Sequence, residues 1–294
     1  MYECISRLKD RGRKEIMSQL RARTTTLQGD PGSGKSMMGA LTAVRKPVHV
    51  IDIDRKLASA GWAEKALQSK ELTYWELAEA FDDTNFKNRL DGLGRDLRKA
   101  TPLQPQGIIK FAEYVYSMPK NQDAMAAGTW MFDSLTMLNE HAKTLIMHLA
   151  GRSKFTFDQW TALKVWWMET MSCIRDIARE NNKDLIFTVH ERFKEEPGDR
   201  TTGVRMEAVK SGDDISLQKT YVGTQDVKVW ASIDGAFGDL IGAQCDEYYY
   251  IYVKINEGKP QWRCRVQPDG RRSLRTSFPN RDVEYECDFR KIWK

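Results

Sequence analysis

Eight consecutive residues give the clearest chemical signal in the chain. Read in order they are Gly29, Asp30, Pro31, Gly32, Ser33, Gly34, Lys35 and Ser36. They match Gly-x-x-x-x-Gly-Lys-Ser/Thr at every fixed position. Glycines let a backbone curl closely around phosphates and aim its N–H groups inward. In this pattern the lysine reaches the β- and γ-phosphates and the hydroxyl coordinates Mg²⁺, so we predict that the loop binds a nucleoside triphosphate with Mg²⁺.

A strand and a helix must hold such a loop in place. The sequence predicts a strand over residues 23–28 and a helix from Lys35 to about Val44, which Pro47 keeps from continuing. The positive end of that helix points at the same phosphate oxygens.

Acidic residues at the ends of two further strands are candidates for metal binding and for catalysis. The mostly apolar run from Thr129 ends at Asp133, which predicts a carboxylate that shares the Mg²⁺ with Ser36. Asp52 and Asp54 come at the end of a strand over residues 48–53, where one of them could polarise an attacking water. The alternative for both is an acid that caps a helix or a loop.

A later strand, predicted over residues 184–189, delivers His190 and Glu191 at its carboxyl end. His190 is a candidate for sensing the γ-phosphate; the alternative is a histidine hydrogen-bonded at a strand end. Glu191 would point to the other side if the strand continues.

The order of the remaining elements alternates strand and helix, which predicts an α/β fold whose mostly parallel sheet is covered on both faces. We expect helices over residues 63–81, 108–116, 135–149 and 157–180, with Ser134 capping the third. The fourth carries apolar residues at helical spacing, which predicts a core-facing stripe: Trp160, Leu163, Trp167, Met171, Ile174 and Ile177. A long mobile loop is expected over residues 192–224. Strands over 247–254 and 261–266 predict an antiparallel C-terminal edge.

Composition favours a globular, intracellular protein. Of 294 residues, 41% are hydrophobic, which argues against disorder of the whole chain. The five cysteines are scattered without zinc-ligand spacing, as expected in a reducing compartment. No apolar run approaches the roughly 20 residues that span a bilayer, and the N-terminus lacks a secretory signal. We therefore expect a cytoplasmic protein without membrane association.

The net charge of +5 is placed unevenly. Residues 1–28 carry seven Lys/Arg against three Asp/Glu, and residues 251–294 carry eleven against six. These basic ends suggest a polyanionic partner.

The phosphate loop, the run Val50 to Asp54, the Asp133-Ser134 pair and the run Phe187 to His190 together resemble RecA-like ATPases. The chain is most similar to the phage-encoded, RecA-core-only ATP-binding proteins of the Sak recombination type, over residues 24–278. The resemblance implies a RecA-like P-loop NTPase domain over residues 23–278, between a basic segment (1–22) and a C-terminal tail (279–294). It also implies ATP and Mg²⁺ as ligands and, for a phage-encoded protein, the host cytoplasm.

The same resemblance implies roles for individual residues. Asp54 stands where RecA-like proteins carry a catalytic carboxylate, and His190 stands at their polar sensor, which is often Gln. The segment after that sensor contacts single-stranded DNA in RecA-like recombinases. Its basic counterparts in this chain are Arg192, Lys194, Arg200, Arg205, Lys210 and Lys219. In a homo-oligomer, Arg272 or Arg275 would reach a neighbour's nucleotide in trans.

Three functions are compatible with the sequence. The favoured one is an ATPase that acts with single-stranded DNA in phage recombination or replication. The alternatives are a small-acceptor phosphotransferase, with residues 192–205 as an arginine-bearing lid, and a non-hydrolysing nucleotide-gated binding module.

Overall fold

A computed structural model describes residues 22–77, 106–151, 155–195, 204–211, 214–221, 227–234, 237–256, 258–268, 274–277 and 282–293. The strands in these ranges are β1 (Thr24–Gly29), β2 (Val48–Asp52), β3 (Leu72–Glu76), β4 (Thr129–Asp133), β5 (Asp184–Glu195), β6 (Val204–Ser211), β7 (Asp214–Tyr221), β8 (Val227–Ala231), β9 (Glu247–Asn256), β10 (Lys259–Arg265) and β11 (Glu284–Glu286).

The α-helices in the same ranges are α1 (Lys35–Thr42), α2 (Glu64–Gln68), α3 (Gln106–Ser117), α4 (Gln122–Ala126), α5 (Leu135–Ala150), α6 (Phe157–Glu180), α7 (Phe237–Leu240) and α8 (Phe289–Ile292). None of the helices described is long and apolar enough to cross a lipid bilayer.

One large sheet organises the molecule. Its strand order is β11-β10-β9-β1-β5-β4-β2-β3, and β8 pairs antiparallel with the outer part of β5. The strands from β9 to β3 in this order are parallel to their neighbours, while β10 and β11 form an antiparallel edge. The predicted α/β class, a mostly parallel sheet with an antiparallel C-terminal edge, is confirmed.

Strand register aligns the carboxyl ends of the central strands. Gly29 is opposite His190, and Asp52 is opposite Asp133. The residues that the sequence places at strand ends therefore meet along one edge of the sheet, where ligands bind in open α/β folds.

Helices cover both faces of the sheet, as predicted. One apolar cluster joins α3, α5 and α6 to the sheet and includes Phe111, Leu138 and Trp167. The other joins α1, α2 and α8 to the opposite face and includes Met38, Ala66 and Phe289.

Helix α6 has the predicted bounds, and its start is fixed locally. The Gln159 side chain accepts a hydrogen bond from the Thr156 backbone N–H at 3.0 Å, part of a capping box. Leu163 and Trp167 are fully buried, but Trp160 is 37% exposed and does not belong to the core stripe. It lies in the first turn, where its ring contacts Phe155 instead.

The helix predicted over residues 63–81 is wrong. Helix α2 ends at Gln68, and Lys70 has a φ of 58°, a left-handed conformation that stops a helix. The chain then forms β3 beside β2, because the run from Leu72 to Trp75 is rich in β-branched and aromatic residues that suit a strand. Residues 78–81 lie outside the described ranges.

The long loop predicted over residues 192–224 is also wrong. β5 continues to Glu195 and pairs with β8, and β6 and β7 form an antiparallel hairpin. The two strands do alternate apolar and polar residues over Val204 to Ala208 and Ile215 to Leu217. The polar, charged and glycine-containing composition of the whole segment outweighed that short signal and suggested a loop. Residues 196–203, 212–213 and 222–226, including Arg200, lie outside the described ranges.

Two further elements lie within residues 279–294, the segment that the sequence sets apart as a tail. β11 pairs with β10, and α8 packs on α1. Phe289 and Ile292 of α8 are fully buried. Of the basic segment over residues 1–22, only residue 22 lies in the described ranges.

Candidate active site

The predicted phosphate loop connects β1 to α1 and fits tightly against the neighbouring strands. A Cβ at Gly29 would lie 2.1 Å from the carbonyl oxygen of Ile251 in β9. Gly34 has a φ of 92°, and a Cβ there would lie 2.7 Å from Cδ1 of Trp262 in β10. Glycine is therefore required at both positions, once for close approach and once for both approach and conformation.

Lys35 is held inside the loop that precedes it. Its Nζ donates hydrogen bonds to the carbonyl oxygens of Gly29 at 2.8 Å and Asp30 at 2.6 Å. Burial lowers the pKa of Lys35 to about 8, against the opposing effect of Asp133 and other nearby carboxylates. The ammonium is thus still charged at neutral pH, and a phosphate could take the place of the carbonyl oxygens.

Asp133 is the last residue of β4 and lies below the loop. Its carboxylate accepts a hydrogen bond from the hydroxyl of Thr188. Burial raises the pKa of Asp133, an effect that the nearby hydroxyls of Ser36 and Thr188 oppose. The sequence-predicted metal pair, Ser36 and Asp133, therefore lies together in the same cleft.

This pair fits a Mg²⁺ ion that arrives with a nucleotide. Both side chains offer hard oxygen donors, and the described residues contain no cluster of three or more His, Cys, Asp or Glu that would form a metal cage. Mg²⁺ is commonly bound by one or two carboxylates plus water and substrate phosphates. The donor set is adequate for that mode of binding.

Asp54 lies beside Asp133 and is fixed by several partners. Its Oδ1 accepts hydrogen bonds from the backbone N–H of Ser134 at 3.2 Å and from its hydroxyl at 2.7 Å. Oδ2 lies 3.3 Å from Nζ of Lys56. Burial acts to raise the pKa of Asp54, but contacts with His190, Ser134 and Lys56 outweigh it and lower the pKa to about 2. Asp54 is therefore ionised at neutral pH.

Asp52, the other acid considered at this strand end, has a different environment. It is buried, and its Oδ2 accepts a hydrogen bond from the backbone N–H of Leu57 at 2.7 Å. Burial raises the pKa of Asp52, while backbone hydrogen bonds oppose the shift. The geometry matches the alternative of an acid that caps a loop, and only Asp54 opens onto the cleft.

His190 and Glu191 face different partners. Nε2 of His190 lies 3.8 Å from Oδ2 of Asp54, too long for a hydrogen bond but close enough for an electrostatic contact. Glu191 accepts a hydrogen bond from the Tyr250 hydroxyl at 3.3 Å, on the side of β9. This divergence follows from the continuation of β5 past residue 191.

A cleft of about 330 Å³ opens at the carboxyl ends of these strands. It brings together the predicted residues Lys35, Ser36, Asp54, Asp133 and His190. Of the predicted loop residues, Pro31, Gly32 and Gly34 also line it, whereas Ser33 is buried behind the loop.

Of the two arginines expected to act in trans, the structure describes only Arg275, which lies outside the cleft. Arg275 is exposed, and its backbone forms two hydrogen bonds with the backbone of Tyr248 in β9. It does not line the cleft, as a residue acting on a neighbouring copy need not. Arg272 lies outside the described residues.

Sequence reasoning missed two tryptophans that line the cleft, Trp62 and Trp262. Trp62 follows the segment that carries Asp54, and Trp262 lies on β10. The chain has nine tryptophans, and local sequence does not distinguish these two from the others. A partial signal exists for Trp262, because the predicted antiparallel edge already contained it.

Comparison with known proteins adds little detail. No protein-family model matches the chain, and no curated protein is significantly similar to it. Similar solved structures include a KaiC-like protein from the archaeon Pyrococcus horikoshii OT3, with 14% identity, a TM-score of 0.36, and coverage of 90% of this chain and 85% of that one. Another is the flagellar accessory protein FlaH from Methanocaldococcus jannaschii, with 12% identity, a TM-score of 0.36, and coverage of 87% and 91%. The chemistry of the site is therefore inferred from its own residues.

Proposed function

We propose that this protein is a Mg²⁺-dependent ATP hydrolase of the RecA-like type. One observation carries the proposal. The lysine of the phosphate loop lies in one cleft with Asp54, which follows β2, with Asp133, which ends β4, and with His190 of β5. That combination supplies the charge neutralisation and the polar group beside the nucleophile that phosphoryl transfer needs.

Substrate binding is assigned to the loop and its lysine. Backbone N–H groups of the loop and the first turn of α1 bind the phosphates, and Lys35 exchanges its carbonyl partners for phosphate oxygens. Ser36 and Asp133 would hold Mg²⁺, which when bound neutralises charge on the β- and γ-phosphates.

Asp54 is assigned to the attacking water. Because its pKa is about 2, it is a weak base and accepts a hydrogen bond from the water without removing its proton beforehand. In this way it aims the water in line with the bond that breaks at the γ-phosphate. His190, whose Nε2 lies 3.8 Å from Asp54, is assigned to donate to the γ-phosphate oxygens and to respond to their loss.

The proposal is tested by turnover and binding in parallel. Lys35→Ala should lose both ATP binding and hydrolysis, whereas Asp54→Asn should retain binding and lose most hydrolysis, since the amide keeps the shape but not the charge. Lys65→Ala, an exposed lysine on α2, is the matched control. Wild-type turnover in Lys35→Ala would refute the proposal.

We further propose single-stranded DNA as the partner and recombination or replication of a phage as the setting. The support is the resemblance to Sak-type proteins, together with the continuity of β5. This strand runs from His190 directly into Arg192 and the residues that pair with β8. ATP turnover with and without single-stranded DNA tests this partner. Equal rates, with no salt-dependent DNA binding, would exclude it.

A homo-oligomer remains part of this proposal, with Arg275 or Arg272 contributing to a neighbour's site. Mixing Arg275→Ala with Lys35→Ala protein tests it, because each variant supplies what the other lacks. Recovered turnover in the mixture supports action in trans, and an unchanged sum of the two separate rates opposes it.

The two alternatives predict different observations. For a phosphotransferase, Arg192 would close over the substrates, but its guanidinium is engaged by Asp234 at 3.0 Å. Phosphate release without an added acceptor excludes that function. Tight ATP binding with no turnover, with or without nucleic acid, would favour the non-hydrolysing module.

A further inference from the structure

The order of the strands determines how a bound nucleotide is oriented in the cleft. Asp133 ends β4, Asp54 follows β2, and His190 lies on β5, so all three are on the same side of β1. The opposite side of β1 is occupied by β9 and β10. A triphosphate whose γ-phosphate faces Asp54 and His190 therefore has its nucleoside toward β9 and β10.

Trp262 lies on that opposite side, next to the loop. The Cβ position of Gly34 is 2.7 Å from Cδ1 and 3.2 Å from Nε1 of the indole, so the five-membered ring adjoins the loop. The residue is 41% exposed and lines the cleft. Among the described residues, none accepts a hydrogen bond from its indole N–H.

The backbone around Trp262 is held on both sides. β10 pairs with β9, where Trp262 is opposite Val253, and the Trp262 carbonyl accepts a hydrogen bond from Cys287 N–H at 3.4 Å on the other side. β9 in turn is in contact with Gly29 through Ile251. The indole is therefore presented to the loop by a paired strand, an arrangement that lowers the entropy lost on binding.

Trp62 is the second aromatic residue of the cleft, and it comes from the segment that follows Asp54. It is partly buried against the apolar cluster that contains Ala63 and Ala66. A base stacked on Trp62 would lie against the segment that carries Asp54 rather than against β10. Stacking on Trp262 and stacking on Trp62 would thus orient the same nucleotide differently.

We propose that the indole of Trp262 is the stacking platform for the base of the bound nucleotide, and that the site takes purine nucleoside triphosphates. This inference rests on the proposed nucleotide-binding function. Stacking is tolerant of base identity because every base has a π-face, and a bicyclic base overlaps an indole more fully than a monocyclic one. ATP and GTP should bind similarly, and CTP and UTP more weakly.

The experiment compares Mg²⁺-dependent binding of ATP, CTP and inorganic tripolyphosphate to the full chain. Trp262→Ala should weaken ATP binding by about tenfold to a hundredfold, the range of stacking losses on removal of an aromatic platform, and leave tripolyphosphate binding unchanged. Trp262→Phe should restore most of the ATP affinity, which separates stacking from misfolding. Trp62→Ala is measured in parallel, because a selective loss of ATP affinity there would assign the platform to that residue instead. Trp160→Ala, an exposed tryptophan of α6 that does not line the cleft, is the control and should leave ATP affinity close to wild type.

Three outcomes would overturn the inference. They are equal losses of ATP and tripolyphosphate binding in Trp262→Ala, a selective loss in Trp62→Ala instead, or wild-type affinities of ATP and CTP that do not differ. Failure of the proposed function looks different, because wild-type protein would then bind neither ATP nor tripolyphosphate.

Discussion

The hydroxyl and the backbone N–H of Ser134 both donate to one carboxylate oxygen of Asp54, at 2.7 and 3.2 Å. Ser134 also begins α5, where its oxygen accepts a hydrogen bond from the Met137 N–H at 3.4 Å. Ser134 thus caps α5, which follows β4, and at the same time binds Asp54, which follows β2. The orientation of Asp54 is therefore set by a residue on another strand.

Ser134→Ala should lower ATP turnover several-fold while ATP affinity is maintained. The change removes one of the two donors that Ser134 supplies to Asp54, which raises the pKa of that carboxyl and loosens its position. Loss of the helix cap costs about 1 kcal/mol of folding stability. Steady-state turnover together with urea unfolding checks both effects. Ser69→Ala is the control, and an equal fall in its turnover would contradict the assignment.

The affinity for ATP should depend on pH through Lys35. In the protein without nucleotide the pKa of Lys35 is about 8, and bound phosphate favours the charged form of the lysine. Affinity should therefore fall only about twofold between pH 7 and 8 and then by up to about tenfold per pH unit. Binding titrations between pH 7 and 10 measure this. The same decline in Lys35→Arg, whose side chain stays charged, would show that another group is responsible.

Folding stability should fall in mild acid because of His49. This buried histidine bonds to Thr73 and Tyr114, and burial lowers its pKa from 6.5 to about 4. Between those values the unfolded chain binds a proton that the folded chain does not, so this contribution is complete above pH 6.5 and is lost as the pH falls toward 4. The loss is on the order of 3 kcal/mol.

Urea unfolding at pH 7.5 and pH 5 measures the effect of His49. In His49→Gln the difference in unfolding free energy between the two pH values should shrink relative to wild type. An unchanged difference would assign the acid sensitivity to other groups.

Phe289→Ala should destabilise the fold although it lies near the C-terminus. The ring is fully buried and contacts Tyr249 and Trp293, so its removal should lower the unfolding free energy by about 3–5 kcal/mol. Lys291→Ala, on the same short helix but partly exposed, should have little effect. A small change in Phe289→Ala would mean that residues 279–294 are dispensable to the domain.

Local signals predicted most of the central fold. The capping residues and apolar spacing of α6 are both contained in its own sequence, so its bounds could be read directly. β3 was missed although its residues suit a strand, because so short a run cannot be told from a helix by periodicity, and the left-handed conformation of Lys70 has no sequence signal of its own. The hairpin of β6 and β7 was missed because the charged, glycine-containing composition around its short apolar alternation suggested a loop.

Some residues of the candidate site could be predicted from local sequence and others could not. Lys35, Ser36 and Asp133 belong to motifs with fixed spacing and could be placed from sequence. The strand pattern alone left Asp52 and Asp54 open, and the resemblance to RecA-like ATPases pointed to Asp54. The hydrogen bond from Leu57 gives the physical reason that sequence could not, because it holds Asp52 in a turn. Trp262 could not be predicted, because its position depends on β10 adjoining β9 and β9 adjoining β1, which no short stretch of sequence reports.

The outermost strand next to β10 has a consequence for how copies of this protein can meet. β11 has only three residues, and its charged side chains are engaged: Glu284 with Tyr252 and Arg263, and Glu286 with Lys291. A short, charged border offers few backbone groups to a foreign strand, which protects a sheet against edge-to-edge aggregation. Fibre growth by strand addition is therefore disfavoured at this border, and any ordered assembly would use other surfaces.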